Sequence, residues 1–286
     1  MAKPQRYSLE EIQVRLDAGD FPFSGTTAGG SAHFDFREPS FYAGVALHAG
    51  SRIREALWVA LAVSAAQRYR EEDPGTEGFI AAFPLQVVAL DSRFEYDLNR
   101  SRDWAIPLKP EQAWGLTVWK RALTEEEKRV SLAKYDEFHC LLDLLTDFLV
   151  KKHGQVFLFD LHAYCYQREQ RLSWHLDPQP VINLGTEPIN QARFRKEIDV
   201  LLQELKRISV GGRRVSVAEN EIFQGGYLAR RLCARHHERL AVFALEWKKI
   251  FMDEWSGQFY PAVYDELVEQ FTRSVARFLE KVRGEK

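Results

Sequence analysis

His48, Asp91 with Arg93 just behind it, His162, Asn220 and Glu246 each stand where a short apolar run gives way to polar sequence. Two imidazoles, a guanidinium, an amide and carboxylates are groups that could carry out hydrolysis. Two histidines and an acid, with a fourth position open, form a ligand set typical of catalytic zinc. Such an ion brings water to a pKa of about 7, and a nearby carboxylate can take up the released proton. Position 51, three after His48, is serine, so an H-x-x-E pair is absent and the acid must come from elsewhere. Glu72 and Asp73, in Glu71-Glu-Asp-Pro-Gly-Thr76, are the candidates, and the residues alone leave both open.

These groups are useful only if separate segments carry them to one place. Residues 42–48, 85–91, 156–162, 215–220 and 240–246 read as short, nearly continuous apolar strands. Helical periodicity covers 53–71, 125–152, 194–208 and 261–282, the third ending before Gly211-Gly212. Strands alternating with helices predict an α/β fold, a three-layer α/β/α sandwich around a mostly parallel central sheet. In such sheets ligands bind beyond the carboxyl ends of the strands, where the five polar ends above would meet. No linker rich in Pro, Gly or Ser divides residues 1–286, so one domain is expected, with an N-terminal extension over 1–40 and a surface excursion over 101–130. Ser8 and Glu11 form a capping-box signature. Ser24 to Ser31 reads as a connector, lacking the spacing of a phosphate loop. Trp104, Trp114 and Trp119 read as surface packing of the excursion, and Phe271, Val275, Phe278 and Val282 as a core-facing stripe of the last helix.

Ser92-Arg-Phe-Glu-Tyr-Asp-Leu-Asn-Arg100 resembles the S-R-x-x-x-D-L-N-R signature of N-formylglutamate amidohydrolases and is similar to the D-L-N-R segment of aspartoacylases and their zinc-carboxypeptidase relatives. Leu47-His-Ala-Gly50, Asp160-Leu-His-Ala-Tyr164, Ile182-Asn-Leu-Gly-Thr186, the stretch from Asn220 to Arg230, Leu245-Glu-Trp and Phe251-Met-Asp-Glu254 resemble further motifs of that family in the same order. The resemblance spans about residues 45 to 255. It implies a zinc carboxypeptidase-like fold, one zinc ion, and cleavage of an N-acyl group, most simply formyl, from a small acidic amino acid such as N-formyl-L-glutamate. It implies His48, Asp73 and His162 as metal ligands, Glu246 as general base, and Arg93 facing the reacting carbonyl. Asn99 and Arg100 would grip a substrate carboxylate, and Asn220, Tyr227 and Arg230 would join them in substrate binding. Ala163 and Ala229 depart from the family's serine and threonine, the second beside the expected pocket.

Composition narrows the classes. Lys and Arg total 39 against 41 Asp and Glu, a net charge of −2, which argues against a nucleic-acid coat. The first residues lack the apolar stretch of a secretory signal, and the apolar run near Ala56 to Ala66 is too short to span a bilayer. The three cysteines, Cys140, Cys165 and Cys233, form no C-x-x-C pair, so a cytoplasmic protein with reduced thiols is expected. Cys165 reads as a packed thiol, His236-His237 as part of a solvated helix, and Gly225-Gly226 as a tight turn near the pocket. His33, His139, His153 and His175 have no partner at ligand spacing. Two other functions fit the same residues: a deacylase or carboxypeptidase acting on another N-acyl amino acid or a peptide C-terminus, and a non-catalytic binder sensing an acidic metabolite through Arg93 and Arg100.

Overall fold

The computed structural model describes residues 5–167 and 173–284, so the outermost residues of the expected domain, at 1–4 and 285–286, lie outside the described residues. Its strands are β1 (Arg6–Tyr7), β2 (Phe23–Thr27), β3 (Ala32–Phe36), β4 (Tyr42–Ala46), β5 (Leu85–Ala89), β6 (Val156–Tyr164), β7 (Ile182–Gly185), β8 (Ser209–Val210), β9 (Arg213–Arg214), β10 (Val217–Glu219) and β11 (Leu240–Lys248). Nine of these form one sheet in the order β1-β2-β3-β5-β4-β6-β11-β7-β10, and β8 and β9 make a separate hairpin. The centre, β5-β4-β6-β11, is parallel. Its flanks turn antiparallel where β3 meets β5 and β7 meets β11. The fold is α/β with a mostly parallel sheet, as the strand pattern predicts.

The helices are α1 (Leu9–Ala18), α2 (Glu55–Trp58), α3 (Ala65–Glu71), α4 (Thr76–Phe79), α5 (Glu125–His153), α6 (Gln191–Leu205), α7 (Tyr227–His236) and α8 (Pro261–Gly284). Every residue of β6 is buried, because helices cover both faces of the sheet centre. On one face the rings of Phe157, Phe159 and Phe243 meet Phe278 of α8 at 5.2, 6.1 and 5.7 Å. Ring pairs at such separations add about 0.5–1.5 kcal/mol each to the burial of their surface. On the other, α5 presents Tyr135, Phe138, Leu142, Leu145 and Leu149 at three- and four-residue spacing, all buried. Thr124 and Glu127 close a capping box at its start, and Gly154 ends it. Ion pairs Arg231–Asp143 and Arg235–Asp147 tie α7 to α5. No helix among the described residues is long and apolar enough to cross a membrane.

Three local expectations need correction. The helix expected over 53–71 is broken into α2 and α3. Between them Ala62 N–H donates to Val118 O at 2.8 Å and Lys120 N–H to Ala60 O at 2.7 Å, so pairing with the excursion replaces helical bonds until Ser64 caps a new helix. The expected connector at 24–31 is strand as far as Thr27. Gly25 is there because β1 runs close beside it: a Cβ would lie 2.4 Å from Gln5 O. The excursion does more than coat the surface: Ile106, Ala113, Val118 and Leu123 form a small second core with Ile53, Leu57, Ala60 and Val63. Trp119 is buried within it, whereas Trp104 and Trp114 remain exposed.

Candidate active site

His48 follows β4, His162 and Glu246 lie on β6 and β11, and Asp73 follows α3. One ligand atom from each of His48, Asp73 and His162 lies within 4.8 Å of the others, and all three residues are buried. Asp73 Oδ2 stands 3.3 Å from His48 Nδ1 and 3.4 Å from His162 Nδ1. The two rings are 5.2 Å apart, centre to centre. Each imidazole turns its other nitrogen to a second carboxylate: His48 Nε2 to Asp97 Oδ1 at 2.8 Å, and His162 Nε2 to Asp160 Oδ1 at 3.1 Å. At His48 the carboxylate accepting at Nε2 holds the ring proton there and leaves Nδ1 free as a ligand; the Asp160 approach to His162 is an ion-pair contact without hydrogen-bond geometry.

Backbone direction separates the two acids considered for the third position. Asp73 turns toward the histidines, with its N–H bonded to His48 O at 3.0 Å. Glu72 turns away: its carboxylate accepts from the Ser92 hydroxyl and lies 3.9 Å from Arg68. Both Asp73 carboxylate oxygens and His48 Nδ1 are buried without a hydrogen-bond partner. Burying such atoms unpaired is costly, and a divalent cation placed among them would answer all three. The two-nitrogen, one-carboxylate donor set fits zinc.

A cleft of about 390 Å³ opens over this cluster, lined also by Glu246, Arg93, Asn99 and Lys249. Burial pushes the Glu246 carboxyl up to about 7; His162 pulls the other way, and Asp73 and Asp160 add to the rise. Burial also opposes the charge of Asp73, yet its two histidine partners hold it far below the ordinary carboxylate range. Against burial, Asp160 and Glu246 lift His162 well above the usual imidazole value. Arg93 Nη2 donates to Asp97 Oδ2 at 2.9 Å and Nη1 to Glu71 O at 3.3 Å, and the Trp114 ring lies 4.7 Å from its guanidinium carbon. Burial works against that guanidinium, but Asp97 and Asp73 outweigh it and raise its pKa.

The remaining substrate-binding candidates separate. Asn99 lines the cleft and its Oδ1 accepts from Leu228 N–H at 3.1 Å. Arg100 stands outside the lining, 3.3 Å from Asp97. Asn220, at φ +55°, joins the ends of β10 and β7 through Thr186 instead of facing the cleft. Tyr227 packs by His139, their ring centres 6.0 Å apart. Arg230 is on an exposed face of α7, 3.7 Å from Glu187. The residues that sequence reasoning passed over are Asp97 and Asp160. Both stood inside quoted motifs, and Asp160, two before His162 on a strand, had to share its face. Trp114, Ile222, Phe223 and Lys249 in the lining carried no such signal.

Residues 45–251 match the N-formylglutamate amidohydrolase family. The chain belongs to this family. No curated protein sequence matches the chain. Among solved structures, the N-formylglutamate amidohydrolase of Ralstonia eutropha is 19% identical, covers 90% of this chain and 99% of its own, and superposes with a TM-score of 0.70. A gene product of Agrobacterium tumefaciens is 17% identical over 87% of this chain and 95% of its own, with a TM-score of 0.60. A metallo-carboxypeptidase of Burkholderia cenocepacia is 13% identical over 96% and 70%, at a TM-score of 0.38, too slight a likeness to argue from. As a member of the N-formylglutamate amidohydrolase family the chain is an amidohydrolase, and its His48–Asp73–His162 cluster is a group that could hold a metal ion.

Proposed function

We propose that the chain is a zinc-dependent amidohydrolase that removes the N-acyl group, most simply formyl, from a small acidic amino acid such as N-formyl-L-glutamate. The observation that carries the reading is the buried, unpartnered trio of His48 Nδ1 and the two Asp73 oxygens beside Glu246. His48, Asp73 and His162 would hold the ion, which supplies Lewis acidity for a water and an amide carbonyl. Glu246, charged above about pH 7, takes a proton from the attacking water and returns it to the departing amine as the C–N bond breaks. Arg93, held rigid by Asp97, Glu71 and Trp114, faces the carbonyl oxygen as negative charge develops. Asn99 offers its amide to the substrate.

Chelation followed by return of one equivalent of zinc, with hydrolysis of N-formyl-L-glutamate followed, tests the reading. Activity should vanish and return; turnover that survives complete metal removal overturns it. A second reading, a deacylase for a less polar N-acyl amino acid, is favoured by one observation. Arg100 is tied to Asp97 outside the lining, while Trp114, Ile222 and Phe223 face the cleft. Relative kcat/KM for formyl and longer acyl groups separates the two.

A further inference from the structure

Two of the three candidate ligands are delivered by the sheet itself, His48 just beyond β4 and His162 within β6. Asp73 is not: it lies in the turn after α3, a helix of only seven residues. The Asp73 N–H reaches His48 O at 3.0 Å, and a second tie fixes the end of α3 to the sheet edge. The last carbonyls of a helix have no partner within it, and at α3 two of them are taken by one side chain. Lys249 Nζ donates to Arg70 O and to Glu72 O, each at 2.6 Å. Lys249 is the first residue past β11, its N–H bonded to Tyr164 O at 3.0 Å, and it is 1% exposed. The same strand end therefore carries Glu246 and, three residues on, the ammonium that grips the backbone beside Asp73.

We propose that Lys249 is a positioning residue for the metal centre, acting through the backbone of residues 70–72 to set Asp73 against the two histidines. An ammonium has three donors and no acceptor. Two serve these carbonyls, and Cys165 Sγ lies 3.6 Å from the same nitrogen. A cation at a helix C-terminus is also favoured by the helix dipole. Other ties hold the segment too: Asp73 N–H to His48 O at 3.0 Å, Cys165 Sγ to Arg70 O at 3.0 Å, the Ser92 hydroxyl to the Glu72 carboxylate, Arg93 to Glu71 O at 3.3 Å and Thr76 Oγ1 to Asp73 O at 2.7 Å. Lys249 is the one among these that links it to the end of β11. Without Lys249 the Glu72 carbonyl loses its donor in a buried site, Arg70 O keeps Cys165 Sγ, and the turn loses its link to β11. Neutral substitution then weakens metal binding while the sheet-borne ligands stay in place.

This inference rests on the metal reading above, and the test separates the two. Zinc affinity is measured by chelator competition on the full chain and on Lys249→Met, Lys249→Arg and Ser64→Ala. Ser64→Ala removes the cap at the far end of the same helix and so loosens α3 without touching the clamp. The wild type should bind one zinc; if it binds none, the metal reading itself fails. Lys249→Met should lose about 10- to 100-fold in affinity, the range for supporting partners of metal ligands, with Lys249→Arg between it and the wild type and Ser64→Ala unchanged. Equal affinity for Lys249→Met and wild type overturns the proposal. So does a raised KM confined to acidic substrates at unchanged zinc affinity, which would make Lys249 a substrate anchor. If Lys249→Met does not fold, Lys249→Gln is read the same way. Failure of both to fold also overturns it, since a clamp on one turn must leave the sheet standing.

Discussion

Glu246 and His162 are register partners on adjacent parallel strands, β11 and β6. The candidate base and a candidate metal ligand are therefore held at fixed separation by the sheet's hydrogen bonds instead of by a loop. Preorganised placement of this kind is what gives a catalytic carboxylate its effect. Glu246→Gln removes the proton acceptor and keeps the shape, so kcat should fall about 10²- to 10⁴-fold with zinc still bound. Steady-state kinetics with metal analysis on the same sample checks this; an unchanged kcat discards Glu246 as base.

Glu246 must be charged to accept a proton, and burial sets its carboxyl at about 7. Below that value the protonated form dominates and activity is lost; above it the carboxylate is present. A cation alongside favours the charged form and pulls the midpoint down. The acid limb of kcat/KM should therefore rise with an apparent pKa at or below about 7 and be missing in Glu246→Gln. A midpoint well above it would point to another group.

Gly226 is pressed against Asn99: a Cβ there would lie 2.1 Å from Asn99 Nδ2. Gly226→Ala should push the Asn99 amide out of the cleft and break its bond to Leu228 N–H. KM should rise several-fold with zinc affinity and thermal stability near wild type. A variant whose KM is unaltered would remove Asn99 from substrate binding.

Trp114 lies over Arg93 and is 43% exposed, at φ +53° in a turn closed by Gly115 N–H donating to Pro110 O. A left-handed non-glycine residue costs energy and tends to sit where function holds it. Trp114→Ala removes a stacking contact of about 0.5–1 kcal/mol. It should lower kcat/KM about 2- to 5-fold and leave the unfolding midpoint nearly unmoved. A loss seen only in stability would make the ring mere packing.

His139, under Tyr135 and Tyr227, is held neutral by burial, which lowers its pKa to about 3, with Arg231 adding to the effect. Unfolded, it titrates near 6.5. Between those values the unfolded chain binds the extra proton, so stability falls as pH drops from 6.5 toward 3. His139→Phe should flatten that part of the acid limb in urea titrations at several pH values. An identical slope in both proteins would place the acid sensitivity elsewhere.

The central strands and the long helices were legible because their signals are local. The largely apolar sequence of β6 and the buried stripe of α5 need no knowledge of their neighbours. β7, only four residues long, depends on β10 and β11 far along the chain, β3 on β5, and the break between α2 and α3 on pairing with residues 118–120. In the site, His48, His162 and Glu246 stood out because apolar runs give way to polar residues there, although β6 and β11 continue two residues past His162 and Glu246. Asp73 could not be told from Glu72 by type or spacing; only the direction of one turn separates them. Arg100 and Asn220 lie beside the site in sequence terms, and their partners Asp97 and Thr186 draw them away from the cleft.

The small second core has a consequence for how this chain could diversify. Its apolar residues come from 53–63, from the excursion and from Phe94, the neighbour of Arg93, apart from the main core that holds the sheet. The excursion carries Trp114 to the cleft mouth yet supplies none of His48, Asp73, His162 or Glu246. Insertions or replacements there would be absorbed by a local pool of contacts and would reshape the entrance without disturbing the floor. The molecule is thus divided into a chassis that carries the candidate site and an exchangeable faceplate that frames its entrance.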